Sequence, residues 1–205
     1  MAIASKAALR ERLLAARRRV ADAVRATEAR MLGEQLDAFV ADHLPSGSTI
    51  CAYVPVNTEP GSIEILDMLL RRSVRVLLPV ARTSSEDVPL PLRWGEYRPD
   101  ALTRGRWGLL EPAEPWLPCS ALAEAALVLV PALAVDRTGV RLGRGRGFYD
   151  RSLPNRDPQA WLIAMVRDEE LVGELPADPH DVPMTHALTP RRGVIALSPG
   201  GGSEE

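Results

Sequence analysis

Continuous apolar runs of strand length, set between segments with helical apolar spacing, restrict the fold of this chain more than any other feature. Thr49 to Val54, Val74 to Val80, Ala126 to Val130, Trp161 to Val166 and Val194 to Leu197 each read as buried strands. A strand wetted on one face alternates apolar and polar residues with period two, and these runs do not. They therefore predict a largely parallel sheet covered on both faces, in a three-layer α/β/α arrangement. Ser5 is placed to cap a first helix carrying Leu9, Leu13 and Ala16, and a second is expected from Asp22 to Leu44. Leu32, Leu36, Phe39 and Val40 form its inward face, and Pro45-Ser46-Gly47 ends it. Ser62 is read as the cap of a third helix with Ile63, Leu66 and Leu70. Ala81 to Pro118, rich in Pro, Gly and Trp, is expected to be irregular apart from a short strand near Leu92 to Trp94. Leu133 to Val135 is read as continuing the preceding strand or pairing beside it, before a turn at Asp136-Arg137-Thr138-Gly139.

With 205 residues and 46% hydrophobic content, the chain suits one domain over residues 1–197, followed by a Gly/Ser/Glu tail at 198–205 expected to be disordered. Lys+Arg number 25 against Asp+Glu 27, so no global field favours nucleic acid, and any anion site must be local. Cys51 and Cys119 form neither a metal-type pair nor a disulfide framework. No run approaches membrane-span length and no secretory core is visible, which predicts a cytoplasmic protein with no membrane partner. The Arg-rich start also fits an organellar transit peptide, but it carries the acidic Glu11.

Ligands of open α/β sheets bind beyond the carboxyl ends of the strands, where this chain keeps its least ordinary residues. Chief among them is Arg141-Leu142-Gly143-Arg144-Gly145-Arg146-Gly147-Phe148-Tyr149-Asp150. Three alternate glycines free the backbone to aim successive N–H groups at the oxygens of a polyphosphate, and Arg141, Arg144 and Arg146 add charge there. A helix starting near Gly147 would add partial positive charge, and Asp150 offers a hard oxygen for a magnesium ion on the phosphates. The spacing is neither the dinucleotide fingerprint nor a Walker motif. A plain turn and an RNA-binding Arg-Gly segment are the bland alternatives.

At this loop the sequence closely resembles the 5-formyltetrahydrofolate cyclo-ligase (methenyltetrahydrofolate synthetase) family, whose nucleotide loop reads Arg-Leu-Gly-x-Gly-x-Gly-Tyr/Phe-Tyr-Asp. The likeness extends from a Lys-x-x-x-Arg first helix, here Lys6 and Arg10, to about Thr189. It implies a sheet fold like that of sugar-phosphate isomerases and CoA transferases, acting as a monomer. It implies ATP as co-substrate, contacted by Lys6, Arg10, Arg141, Leu142, Gly143, Arg144, Gly145, Arg146, Gly147, Phe148 and Tyr149. Mg2+ would be bound by Asp150 and Asp181, and Arg144, Arg146 and Tyr149 are the catalytic candidates. The reaction implied is ATP-dependent closure of 5-formyltetrahydrofolate to 5,10-methenyltetrahydrofolate.

The folate side is expected in the loop from Tyr53 to Ser62. The resemblance points to a hydrophobic contact at Val56 and a carboxylate at the position of Gly61, which lacks one, leaving Glu59 to serve. Trp107, in Gly105-Arg106-Trp107-Gly108, is the candidate for stacking on folate, and Tyr149 is a shared contact. For Lys6 and Arg10 the competing reading is a solvated helix face; for Asp181, a turn residue beside His180; for Glu59, a loop carboxylate near a helix start. His43 and His186 read as ordinary half-buried histidines. A non-catalytic nucleotide- or RNA-binding module, and a cyclo-ligase for another amide metabolite, are the alternative functions.

Overall fold

The computed structural model describes residues 5–179 and 181–198. His180 and nearly all of the tail expected to be disordered, residues 199–205, lie outside them.

Twelve strands form in chain order: β1 Thr49–Cys51, β2 Arg75–Val80, β3 Arg93–Glu96, β4 Leu102–Arg104, β5 Leu110–Pro112, β6 Ala125–Pro131, β7 Ala134–Asp136, β8 Arg141–Leu142, β9 Trp161–Met165, β10 Leu171–Val172, β11 His186–Thr189 and β12 Gly193–Ala196. Seven of them make the main sheet, in the order β12-β11-β9-β6-β1-β2-β3. Its interior pairs are parallel, and only the edge strands β3 and β12 run antiparallel to their neighbours. This is the mixed α/β sheet the apolar runs call for. Neither β11 nor the β4–β5 hairpin was expected, because three or four residues are too few to show a period.

Successive side chains on each strand enter opposite cores. Ile50, Val76, Leu78, Leu127, Leu129 and Ile163 face one core, whereas Cys51, Leu77, Val128, Val130 and Leu162 face the other. The first core is closed by α2 (Asp22–His43) and α3 (Glu64–Arg71) through Leu32, Leu36, Val40, Leu66 and Leu69. The second is closed by a thinner layer, the five-residue α4 (Phe148–Ser152) and short 3-10 segments carrying Ala121, Leu122 and Leu153. Here the sheet's outer cover on one side is mostly loop, and that exposes a cleft.

α1 (Lys6–Arg18) begins as expected, with the Ser5 hydroxyl accepting from the Ala8 N–H at 3.3 Å. Its Leu9 packs with Ala134, Leu142 and Leu175 on a small sheet of order β10-β7-β8. α3, by contrast, starts at Glu64 with Ile63 at its N-cap, so Ser62 lies one residue outside the cap position.

β1 connects to β2 on one side of itself, and the chain later returns to place β6 on the other. The order therefore reverses beside β1, which opens a crevice at the carboxyl ends of β1, β2 and β6.

Candidate active site at the switch point

A cavity of about 490 Å³ occupies that crevice. Tyr53, Val54, Val56 and Glu59 reach it from the segment after β1, Pro79 and Ala81 from the end of β2, and Pro131 to Leu133 from the end of β6. The glycine loop forms its rim: Arg141, Gly143, Arg144, Gly145, Arg146, Gly147, Phe148, Tyr149 and Asp150 all line it. Trp107 and Leu109 close the side that the thin outer layer leaves open.

The loop owes its course to local interactions on both sides. Asp136, 1% exposed, accepts from the N–H groups of Thr138 and Val140 through Oδ1 and from Leu175 through Oδ2, fixing the turn before the loop. Gly139 adopts φ +89°, and a Cβ there would sit 2.4 Å from the Met184 carbonyl oxygen, so the turn admits no side chain. Gly145 (φ +94°) passes over Arg10, whose Nε donates to the Gly143 carbonyl at 2.9 Å. The first helix is thus tied to the glycine loop through Arg10.

Charge at the rim is internally paired. The Arg141 guanidinium, 6% exposed, bonds the Asp150 carboxylate through Nη2 and lies 5.8 Å from the Tyr149 ring centre, while its Nε has no partner. Lys6 donates to Asp178 at 2.6 Å and Asp181 at 2.9 Å. Partial burial pulls the Lys6 pKa down, but those two carboxylates more than reverse this, and the net shift is upward. Asp181 also accepts from the Asp178 N–H. Each predicted metal ligand is therefore salt-bridged to a predicted phosphate contact.

In the segment after β1, Glu59 turns inward with its side chain 8% exposed. It accepts from the Val56 N–H at 3.0 Å and from Arg144 Nε at 2.8 Å. Arg146 lies over the Trp107 indole at 4.6 Å, and Phe148 packs against the same ring with centroids 5.7 Å apart. Trp107 holds φ +60°, a conformation rare for an aromatic residue, and is 38% exposed.

Five of the candidates lie outside the cavity lining. Leu142 is 1% exposed in the core beneath α1, so only its backbone serves the loop. Gly61 is absent from the lining; it has φ +96°, and a Cβ would meet Met165 Cε at 2.8 Å. The inward carboxylate of this segment is Glu59. Lys6, Arg10 and Asp181 are the others; Arg10 bonds the lining residue Gly143, while Lys6 and Asp181 bond each other.

Tyr53 and Val54, which the sequence places in the loop from Tyr53 to Ser62 without a role of their own, both line the cavity. Sequence reasoning missed Arg17, 1% exposed, which donates to both Glu170 oxygens at 2.7 and 2.8 Å and to the Ala132 carbonyl at 2.7 Å. His43 and His186 pack with Phe39 and Trp161 in a ring cluster, and neither lines the cavity.

A polar-rimmed, apolar-floored cavity at the reversal point of a parallel sheet is the layout of an enzyme acting on a small molecule that carries an anionic group. The chain belongs to the 5-formyltetrahydrofolate cyclo-ligase family, whose model matches residues 2–190. It is 56% identical over 193 residues to the 5-formyltetrahydrofolate cyclo-ligase of Mycolicibacterium smegmatis, covering 94% of this chain and 97% of that one. Identity to the Escherichia coli K12 cyclo-ligase is 30% over 146 residues, covering 70% and 79%. Among solved structures, the Aquifex aeolicus 5,10-methenyltetrahydrofolate synthetase superposes with a TM-score of 0.71 at 24% identity, covering 98% of this chain and 96% of that one. The Mycoplasma pneumoniae synthetase gives 0.69 at 21%, covering 88% and 96%. These two likenesses bear on the fold.

Proposed function

We propose that the chain is an ATP- and Mg2+-dependent enzyme converting 5-formyltetrahydrofolate to 5,10-methenyltetrahydrofolate. One observation carries the reading: a single cavity joins the glycine loop to the inward Glu59 and to Trp107, so an anion-binding rim and a flat apolar slot face the same space.

The formyl group of the substrate is an amide, and its carbon is a poor electrophile until its oxygen becomes a leaving group. Bound ATP supplies the phosphoryl group for that activation. The loop's free N–H groups and the Arg144 and Arg146 guanidinium groups stabilise negative charge at the rim. Glu59, held in place by the Val56 N–H, accepts hydrogen bonds from donors on the heterocycle, while Trp107 and Phe148 cover its face. Fixing the formyl carbon beside the attacking nitrogen of the same molecule makes closure unimolecular. No nucleophile of the chain is required.

The donor set fits Mg2+. No group of three or more His, Cys, Asp or Glu side chains gathers among the described residues, but magnesium brought in on phosphates needs only one or two protein carboxylates. Asp150 lines the cavity and gives Oδ1 to Arg141, and it is the residue that would hold the ion there. Asp181, paired with Lys6, is the second candidate, joining when the phosphates draw Lys6 away. The enzyme is further read as a cytoplasmic monomer of one domain. Among the described residues no helix is long and apolar enough to cross a membrane.

The test is absorbance of the methenyl product when purified protein is mixed with 5-formyltetrahydrofolate, ATP and Mg2+, omitting each in turn. Product in the complete mixture and in no other supports the reading; no product in the complete mixture overturns it.

A further inference from the structure

Buried polar atoms without partners are rare in folded proteins, and each one calls for an explanation. Among the described residues several of them collect at the cavity: the hydroxyls of Tyr53 and Tyr149 and Nε of Arg141 all belong to lining residues. Arg141 and Tyr149 lie in the glycine-loop stretch already read as the nucleotide site. Tyr53 does not, and nothing in that reading gives its hydroxyl a task.

Tyr53 lies two residues past the carboxyl end of β1 and is 6% exposed. Its ring packs in the core with Ile50, Ala52 and Leu129, an environment that would suit phenylalanine at least as well. Burial raises the phenol's pKa well above its ordinary value, and the charge of the cavity-lining Glu59 adds to the rise while that of the buried Arg17 opposes it. Arg17 in turn holds the Ala132 carbonyl of the cavity wall. The phenol oxygen of this cavity-lining residue is itself buried and bonds no polar group of the described residues. Glu59 bonds the Val56 N–H and Arg144, and makes no bond to the Tyr53 hydroxyl.

We propose that the Tyr53 hydroxyl is a substrate-orienting group, whose partner is a ring carbonyl or ring nitrogen of the heterocycle seated beside Glu59. The inference rests on the folate reading of this cavity and adds a residue to it. A hydroxyl kept unpaired in the free protein destabilises the fold, and a ligand atom that pairs with it regains that loss on binding. Glu59 then recognises donors on one edge of the ring system and Tyr53 an acceptor on the same molecule, fixing its rotation in the slot.

Tyr53→Phe tests this, because it removes one oxygen and leaves the packing in place. Three quantities are measured on the variant and wild type: the thermal midpoint without ligand, KM for 5-formyltetrahydrofolate and KM for ATP. The expected result is a folate KM raised about tenfold, the equivalent of about 1.4 kcal/mol, with the ATP KM unchanged. The thermal midpoint should hold or rise by about 2–4 °C, as loss of an unpaired buried hydroxyl implies. A raised midpoint with unchanged folate KM overturns the proposal and makes the hydroxyl a packing defect. A lowered midpoint with both KM values raised together overturns it too, and makes Tyr53 structural. Wild-type protein without turnover refutes the folate reading itself, a failure visible before any variant is made.

Discussion

Replacing Arg17 with methionine should be among the most damaging single changes outside the cavity lining. The Arg17 and Glu170 side chains are 1% and 4% exposed, and two bonds of 2.7 and 2.8 Å join them. Methionine fills much of the volume of the arginine stem but leaves the Glu170 carboxylate buried with the Arg167 N–H, and leaves the Ala132 carbonyl without its donor. Removing one partner of a buried ion pair costs about 3–5 kcal/mol, because the remaining charge is stranded. For a chain of this size each kcal/mol lowers the thermal midpoint by about 2–4 °C, so a fall of roughly 6–20 °C is expected. Thermal and urea unfolding followed by circular dichroism measure it. Adding Glu170→Gln neutralises the stranded charge while keeping an acceptor for the Arg167 N–H. The double variant should therefore be more stable than the sum of the single losses by about 0.5–3 kcal/mol. A loss under about 1 kcal/mol for Arg17→Met, the size of an exposed pair, would refute the reasoning. So would strictly additive losses in the double variant.

Three further outcomes follow from the geometry. Asp150→Asn should abolish Mg2+-ATP turnover with a native circular dichroism spectrum, and full activity would remove the metal assignment. Glu59→Gln should weaken 5-formyltetrahydrofolate by about tenfold or more, since a charge-assisted bond contributes about 1.5–3 kcal/mol, while leaving ATP binding nearly unchanged on titration. Burial, with a smaller contribution from His43, holds the His186 pKa below its ordinary 6.5. The unfolded chain then binds the proton more readily, so this group costs stability as pH falls below 6.5 and has no such effect above it. His186→Gln should flatten that acid-side slope in urea unfolding, and an unchanged slope would sink the assignment.

The sheet was legible because strands buried on both faces must be apolar throughout; β1, β2, β6 and β9 announced themselves that way. Strand ends were less so, since Ala52 to Val54 stay apolar after pairing stops at Cys51. Tyr53 fell within the loop expected on the folate side, but that its hydroxyl lacks a partner shows only in the fold. The glycine loop's place at the mouth of the cavity was legible because alternate glycines among arginines stand out from ordinary packing. Arg17 was not: it sits in the run Arg17-Arg18-Arg19, and only the fold shows that one of the three is buried against Glu170. Gly61 misled for the opposite reason. A position in a motif was read as a missing carboxylate, whereas its positive φ and the nearness of Met165 make it a turn, with Glu59 supplying the inward charge.

The account depends on the glycine-loop cavity taking up a nucleotide's phosphates beside a folate. Isothermal calorimetry of ATP into the folded protein, with Mg2+ and with 5-formyltetrahydrofolate present or absent, measures that directly. The account predicts saturable one-to-one binding that is lost or strongly weakened in Arg144→Ala/Arg146→Ala protein of unchanged thermal midpoint. No ATP heat under any of these conditions, or equal affinity in the double variant, would contradict it.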